Sequence, residues 1–146
     1  MIDLEPFAVK HLAVIQPWFD NPETSGRLGG RDRPGMVRRL AASPPPGTTR
    51  MSFVARAAGE VVGLADLELE DGGDASFAVV VAPERRGRGH AGAIVALLLG
   101  RCEVVGRRVS VGVEPDNTAS RRLAESAGLV QAGIDGQGLL VYRRRS

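Results

Sequence analysis

The sequence predicts a mixed α/β fold in one domain spanning residues 1–146. Three apolar, β-branched segments near the middle of the chain are separated by short turn signals, which predicts a strand meander. After them, helix-like and strand-like segments alternate, which indicates helices packed on a sheet. A chain of 146 residues is also long enough to bury one hydrophobic core.

Two helices are predicted before the meander. Apolar residues between Val9 and Phe19 recur near the 3.6-residue period of an amphipathic helix. Pro34 fits the first turn of a second helix, because that turn does not need the N–H group that proline lacks. The proline-rich stretch Ser43–Thr48 excludes helix and central strand, so it is predicted to be an exposed loop.

The strands of the meander are predicted at Met51–Ala58, Val61–Glu70 and Ala75–Val81. The sequence Asp71-Gly-Gly-Asp74 is a strong turn signal and predicts a hairpin between the last two strands. In the middle strand, Asp66, Glu68 and Glu70 alternate with apolar residues. This alternation predicts that the three carboxylates lie on a solvated face of the sheet.

A glycine-rich basic loop follows the meander. Residues Pro83–Gly92 read Pro-Glu-Arg-Arg-Gly-Arg-Gly-His-Ala-Gly and lead into a helix predicted from about Gly89 to Arg101. Such a loop turns backbone N–H groups toward the positive end of a helix dipole, which favours a bound phosphate. The loop therefore predicts a phosphorylated small-molecule ligand, although a plain turn would also explain the glycines alone. The helix is apolar nearly all round, which predicts deep burial.

The last third of the chain predicts a strand, a helix and two closing strands. Val109–Val113 has the composition of a short strand. Asn117 is suited to cap a helix over Thr118–Ala127, and Gly128 is suited to end it in the left-handed conformation. The closing strands are predicted near Val130 and at Leu139–Tyr142.

Composition restricts the function classes. The net charge is +2 and 4% of residues are aromatic, which argues against a surface that stacks nucleic-acid bases. We interpret Arg143–Arg145 as a solvated end, with a basic interaction segment as the alternative. No apolar run reaches the roughly 18–20 residues of a membrane span, and Met1–Glu5 lacks the basic residues of a signal peptide. The single cysteine, Cys102, excludes an intrachain disulfide, is expected to be buried, and fits a cytoplasmic protein.

Two motifs that lie about 30 residues apart are informative together. The first is Arg86-Gly-Arg-Gly89-His-Ala91 at the strand–helix junction, and the second runs from Asn117 through Ser120 to Gly128-Leu129. In this order they resemble the GNAT superfamily of acyl-CoA-dependent N-acetyltransferases. The resemblance implies a mostly antiparallel sheet of about six to seven strands with about four helices, splayed between the fourth and fifth strands. Trp18-Phe-Asp-Asn-Pro-Glu23 further resembles the subgroup that includes ribosomal-protein N-terminal acetyltransferases.

The resemblance implies acetyl-CoA as co-substrate and no metal. Backbone N–H groups from Gly87 to Gly92 would hold the pyrophosphate, with glycine at 87 and 89 because a Cβ would obstruct the phosphates. The backbone of Val79 and Val81 would bind the pantetheine arm like an added strand, where the fourth strand diverges at a bulge. Arg85 or Arg88 would meet the outer phosphate of the coenzyme. The implied coenzyme residues are Val79, Val81, Arg86, Gly87, Arg88, Gly89, His90, Ala91, Gly92, Asn117 and Ser120.

The proton carriers usual in this family are absent at their expected positions. Ala124 stands where a tyrosine general acid is usual, and Ser76 stands where a glutamate is usual. The remaining candidates are Ser120, which would protonate the departing thiolate, and the carboxylates Asp66, Glu68 and Glu114. Each carboxylate also has a simpler explanation as an exposed strand or loop residue.

The resemblance implies an N-acetyltransferase that moves the acetyl group of acetyl-CoA directly to a primary amine. The acceptor would be a small molecule or a protein N-terminus, bound between Val9–Arg33 and the final strands. The alternatives are a non-catalytic acyl-CoA-binding module and a basic interaction protein. No nucleic-acid or membrane partner is expected, and the protein is expected to be a monomer or a homodimer.

Overall fold

Seven strands form one sheet in the computed structural model, which describes residues 1–27 and 30–145. The strands are β1 (Ile2–Pro6), β2 (Thr48–Ala57), β3 (Glu60–Glu70), β4 (Ala75–Val81), β5 (Arg108–Val113), β6 (Val130–Ile134) and β7 (Leu140–Arg145). Their spatial order is β1-β2-β3-β4-β5-β7-β6. All neighbouring pairs are antiparallel except β4 and β5, which are parallel. The predicted fold class is confirmed.

Five α-helices accompany this sheet in the described residues. They are α1 (Leu12–Ile15), α2 (Pro22–Arg27), α3 (Arg33–Ala42), α4 (His90–Leu99) and α5 (Thr118–Ser126). The helix predicted over Val9–Phe19 is instead a short α1 between two 3₁₀ helices. Pro17 lies in the second of these, where it has no N–H for an α-helical hydrogen bond.

The sequence reasoning misses two elements, β1 and α2. In β1, Ile2 and Leu4 are half-buried and alternate with Asp3, an apolar–polar pattern that the acidic composition obscures. The strand adds to the edge of the sheet, with Leu4 opposite Ala55 of β2. Leu28 and Gly29, within the segment predicted to bind the acceptor, lie outside the described residues.

The sheet opens between β4 and β5. The two strands pair in register only at Ala75 and Val109, and then diverge toward the end of β4. The splay that the family resemblance implies is therefore present. No bulge interrupts the β3–β4 register, which is continuous from Ala75 to Val81, so the opening arises from the divergence of β5 alone.

Helix α4 packs closely against the centre of the sheet. Its buried residues include Ile94 and Leu98, which contact β2 and β3 residues in one core cluster. Gly63 of β3 makes this approach possible, because a Cβ there would lie 2.8 Å from Cδ1 of Ile94. The predicted burial on all sides is wrong, since Leu97 on the outer face is 41% exposed.

Two other burial predictions are wrong for identifiable reasons. Asp66 was expected on a solvated face, but only 6% of its surface is exposed, because Arg33 of α3 and Arg50 of β2 lie over it. Cys102 is exposed, because α4 ends at Leu99 and the cysteine falls in the following turn. The first correction matters for the site, since Asp66 was a catalytic candidate.

Candidate functional site

The opening of the sheet leads into a cleft of about 570 Å³ between β4, the glycine-rich loop and α5. We call it the first cleft. Of the residues predicted to bind the coenzyme, all but Arg88 line it: Val79, Val81, Arg86, Gly87, Gly89, His90, Ala91, Gly92, Asn117 and Ser120. The fold thus gathers two motifs that are distant in sequence onto one concave surface.

The glycine-rich loop owes its shape to two glycines. Gly87 and Gly89 have φ angles of 79° and 80°, a conformation that residues with a Cβ rarely adopt. Gly89 is also the N-cap residue of α4, so the loop delivers the helix N-terminus to the first cleft. No protein atom lies within 4 Å of a Cβ built at either position. The protein therefore needs these glycines for their backbone conformation and not for space within the fold.

The free edge of β4 supplies unpaired backbone groups. Ala82 N–H donates to the Val62 carbonyl at 2.9 Å, and Glu70 N–H donates to the Asp74 carbonyl at 3.0 Å. Because hydrogen-bonded pairs alternate along an antiparallel ladder, the backbone groups of Val79 and Val81 point away from β3. They face the opening, since β5 has already diverged there.

Helix α5 forms the opposite wall. Its cap is as predicted: the Asn117 side-chain oxygen accepts from the Ser120 N–H at 3.2 Å. Ser120 lines the first cleft and also a second cleft of about 540 Å³ that lies between β4 and β5. Val79, Asn117 and Leu123 line both as well, so the two clefts meet at this point.

The arginines around the first cleft differ in their partners. Arg86 donates at 2.7 Å to the hydroxyl of Thr24 on α2, and Arg85 forms an ion pair with Glu60. Arg122 of α5 lines the first cleft, whereas Arg88 does not. Arg86, which is predicted to bind the coenzyme, thus also contacts Thr24, a residue 62 positions earlier in the sequence.

Sequence reasoning misses Glu23 and Thr24, which line the first cleft from α2. A signal for this helix is present: the Asn21 side chain accepts from the Glu23 N–H at 2.9 Å, and Pro22 occupies the first helical position. Asn followed by Pro is a typical helix start. Thr24 is 2% exposed, so its hydroxyl is held in place for Arg86.

Two of the three acidic candidates, Asp66 and Glu68, belong to an ion-paired cluster with Arg50 and with Arg33 of α3. Asp66 Oδ2 accepts from Arg50 at 2.6 Å and from Arg33 at 3.4 Å, and Glu68 pairs with Arg50 at 3.0 Å. Burial raises the pKa of Asp66 above its ordinary value, and the two guanidinium groups offset this only in part. Asp66 Oδ1 is buried without a hydrogen-bond partner in the described residues.

The cluster adjoins the second cleft without lining it. Asp66 lies directly opposite Ala78 of β4, which lines that cleft, and Glu68 lies opposite Ser76. Neither Asp66 nor Glu68 is among the described residues that form either cleft. The structure therefore brings Ser120 together with the coenzyme candidates, but not the two carboxylates. Glu114, the third acidic candidate, does line the second cleft.

The one tyrosine of the chain is removed from the clefts. Tyr142 of β7 has no exposed surface, and its hydroxyl accepts from Arg121 at 3.2 Å and donates to Glu125 at 3.4 Å. Ala124, at the position where the family usually has tyrosine, is 3% exposed and lines the second cleft. Of the described residues that line both clefts, only Ser120 carries a hydroxyl group that could donate a proton at this junction.

The sequence from residue 15 to residue 129 matches the model of the acetyltransferase (GNAT) family. The chain belongs to this family. The family assignment agrees with the two motifs, the splayed sheet and the first cleft described above. The predicted co-substrate, acetyl-CoA, is the acetyl donor that this family uses.

Solved structures with the same fold include two named acetyltransferases and the protein RimJ. One is the aminoglycoside acetyltransferase AAC(6')-Ib in complex with coenzyme A, with a TM-score of 0.77, 20% identity, and coverage of 98% of this chain and 93% of that one. Another is spermidine N-acetyltransferase from Vibrio cholerae in complex with coenzyme A and spermine, with a TM-score of 0.73, 20% identity, and coverage of 97% of this chain and 92% of that one. The third is RimJ from Mycobacterium smegmatis in complex with CoA-disulfide, with a TM-score of 0.77, 19% identity, and coverage of 99% of this chain and 82% of that one. No curated protein matches the chain in sequence.

None of the helices in residues 1–27 and 30–145 is long and apolar enough to cross a membrane. The same residues contain no group of three or more His, Cys, Asp or Glu side chains arranged to hold a metal ion.

Proposed function

We propose that this protein transfers the acetyl group of acetyl-CoA directly to a primary amine. The observation that carries the proposal is the combination, in one cleft, of an open strand edge and a loop with left-handed glycines at a helix N-terminus. An open strand edge binds an extended amide-containing arm, and such a loop binds phosphate. Coenzyme A has both parts in one linear molecule.

Different residues of the first cleft would bind different parts of coenzyme A. The N–H groups from Gly87 to Gly92 would hold the pyrophosphate, and the backbone of Val79 and Val81 would bind the pantetheine arm. Asn117 and Ser120 would lie along that arm, near the point where both clefts meet. Arg86, Arg88, His90 and Ala91 complete the proposed set, with Arg88 supported by the family motif alone.

The transfer places two demands on the protein. Acetyl-CoA supplies an acetyl group as a thioester, and transfer forms a C–N bond while the C–S bond breaks. The amine must lose a proton and the sulfur must gain one. Ser120 is positioned to donate to the sulfur, because its side chain lies at the junction of the clefts and has no hydrogen-bond partner in the described residues.

A role of Asp66 and Glu68 as proton acceptors stays a prediction. Their geometry supports a positioning role, because both are ion-paired with Arg50 and Asp66 also bonds Arg33 at the start of α3. The cluster would thereby fix α3 on the face of the sheet next to the second cleft. Direct proton transfer would require a water molecule to connect Asp66 with the second cleft past Ala78.

The structural neighbours favour a small amine as the acceptor, and a peptide N-terminus is the second candidate. The structural neighbours include enzymes named for aminoglycosides and spermidine, both carrying primary amines, as well as RimJ. The subgroup prediction rested on the sequence around Trp18. That residue is 6% exposed and packs in a core cluster, so packing alone explains it.

Release of coenzyme A thiol, measured against a panel of amines, tests the activity. The panel should contain an aminoglycoside, a polyamine and a short peptide with a free N-terminus, and we expect release with at least one of them. Calorimetry with coenzyme A is the companion measurement. Coenzyme binding without thiol release from any amine would favour the non-catalytic module, and absence of binding at about millimolar coenzyme would reject the proposal.

The variant Ser120→Ala tests the proton donor. General acids contribute about 10²–10⁴-fold to rate, so we expect turnover to fall at least about tenfold while affinity for acetyl-CoA stays within about twofold. Ser110→Ala is the matched control, because Ser110 lies on β5 outside both clefts and contacts Arg143. Unchanged turnover in Ser120→Ala would remove Ser120 from the mechanism.

A further inference from the structure

We propose that Arg122 binds the phosphate on the ribose of coenzyme A and makes the first cleft select coenzyme A over forms that lack this phosphate. The inference rests on the proposed function, because it assumes that the first cleft is the coenzyme site. It reassigns a role for which the sequence offered Arg85 and Arg88.

Arg122 is the arginine of the first cleft that remains free to bind a ligand. Three arginines line this cleft: Arg85, Arg86 and Arg122. The guanidinium of Arg85 is paired with Glu60, and that of Arg86 donates to Thr24. Within the described residues, Arg122 has neither a hydrogen bond nor an ion pair, and it is exposed. Arg88 is exposed as well but does not line the cleft.

Arg122 lies on the part of the first cleft where the nucleotide end of an extended ligand would bind. Helix α5 begins at the junction of the clefts, where Asn117 and Ser120 lie beside the open edge of β4. Arg122 and Ser126 line the first cleft but not the second, so this wall continues away from the junction. A ligand with its reactive end at the junction and its pyrophosphate on the loop would place its nucleotide along this part of α5.

Coenzyme A carries a second anionic group, besides the pyrophosphate, that needs a cationic partner. A pyrophosphate can be held by backbone N–H groups at a helix N-terminus. A phosphate monoester carries a charge of about −1.5 to −2 at neutral pH and lies on the other side of the nucleotide sugar. Arginine binds such a group with two parallel N–H donors, which is the strongest geometry available to a side chain at this wall.

The test compares coenzyme A with 3′-dephospho-coenzyme A by calorimetry, in the wild-type protein and in Arg122→Ala. We expect the wild type to bind coenzyme A more tightly than the dephospho form. In Arg122→Ala we expect affinity for coenzyme A to fall about tenfold, because the variant loses a charge-assisted hydrogen bond that solvent screens in part. Affinity for the dephospho form should stay within about twofold, so that the ratio of the two dissociation constants approaches one.

Two further variants control the result. Arg39→Ala removes the same charge from an exposed arginine of α3 that does not line the first cleft, and both affinities should be unchanged. Arg122→Lys keeps the charge but loses the planar fork, so we expect it to recover part of the selectivity. Because Arg122 is exposed and has no partner in the described residues, its substitution should leave the urea midpoint of unfolding unchanged.

The outcomes separate this inference from the proposed function. Equal weakening of both ligands in Arg122→Ala would place the arginine on the pyrophosphate and overturn the selectivity assignment. Binding of both ligands with equal affinity by the wild type would overturn it while leaving the first cleft as the coenzyme site. Absence of binding of either ligand would overturn both. Coenzyme binding without acetyl transfer would contradict only the proposed activity.

Discussion

The part of this molecule proposed to bind the coenzyme (the coenzyme half) and the part proposed to bind the acceptor (the acceptor half) are built in different ways. The coenzyme half, from β4 through the loop to α4, presents backbone groups whose directions are set by nearby glycines. The acceptor half, around α2, α3 and the β3 carboxylates, depends on side-chain contacts between distant segments. Arg50–Asp66 and Arg33–Asp66 are examples, at sequence separations of 16 and 33. Local sequence therefore determines the first half, and tertiary packing determines the second.

The difference predicts which property each substitution should affect. Changes to the loop should alter coenzyme affinity out of proportion to stability. Changes to the side-chain contacts should alter stability or acceptor binding and leave coenzyme affinity intact. Three substitutions test this separation.

Gly89→Ala should have the largest effect on coenzyme affinity. The φ of 80° at Gly89 is strained by about 1–2 kcal/mol in a residue with a Cβ, so the loop should shift to relieve it. Loss of one charge-assisted hydrogen bond to the pyrophosphate would lower affinity about tenfold or more, as measured by calorimetry. Gly72→Ala, at φ 66° in the β3–β4 turn, carries the same kind of strain and should leave affinity unchanged. A similar loss in both variants would show that the loop has no special role.

Asp66→Asn should have an intermediate effect, on stability. The substitution leaves one oxygen to accept from the two arginines but puts an NH2 group, a donor, at the buried position where Oδ1 has no partner in the described residues. A buried donor without a partner is costly, so we expect the free energy of unfolding to fall by about 1–3 kcal/mol in urea titrations at neutral pH. Affinity for coenzyme A should stay within about twofold. A loss of affinity as large as that in Gly89→Ala would break the proposed separation of the halves.

The free energy of unfolding of wild type and Asp66→Asn, measured as a function of pH, tests the balance between burial and ion pairing at Asp66. The folded-state pKa of Asp66 is raised, so the folded protein binds the proton more readily than the unfolded chain does. The contribution of Asp66 to stability therefore grows as pH falls through the raised pKa toward the ordinary value. The stability advantage of wild type over Asp66→Asn should increase from pH 7 toward pH 4. A shrinking advantage would mean that the ion pairs outweigh burial.

Thr24→Val should have the smallest effect. The substitution keeps the shape of a buried side chain and removes the hydrogen bond from Arg86, whose exposed guanidinium can bond water instead. We expect a loss of stability of about 1 kcal/mol or less and a change in coenzyme affinity below about twofold. An increased Michaelis constant for the amine, with unchanged affinity for the coenzyme, would assign the Arg86–Thr24 contact to the acceptor half.

The sequence predicts most of the fold because its signals are local. The hairpin turn at Asp71–Asp74, the cap at Asn117 and the left-handed Gly128 each depend on residues within a few positions. The membership of Val79 and Val81 in the first cleft follows from the family motifs. The burial of Asp66 could not be predicted, because alternation along β3 does not show that α3 returns to cover that face. For the same reason the partners of Arg85 and Arg86 could not be predicted.

The divergence of β4 and β5 also bears on where strands of two molecules could pair. An unpaired strand edge is a template for pairing with another chain, yet the open edge of β4 lies inside a cleft walled by α5 and the loop. The walls restrict access to this edge, so a strand of another folded protein should reach it less readily than a slender extended ligand. The outer edge of the sheet at β6 is different, with Val130 and Ile134 exposed at 70% and 68% and no charged residue within the strand. Any tendency of this protein to aggregate through strand pairing should therefore begin at β6 and not at the opening that we propose as the coenzyme site.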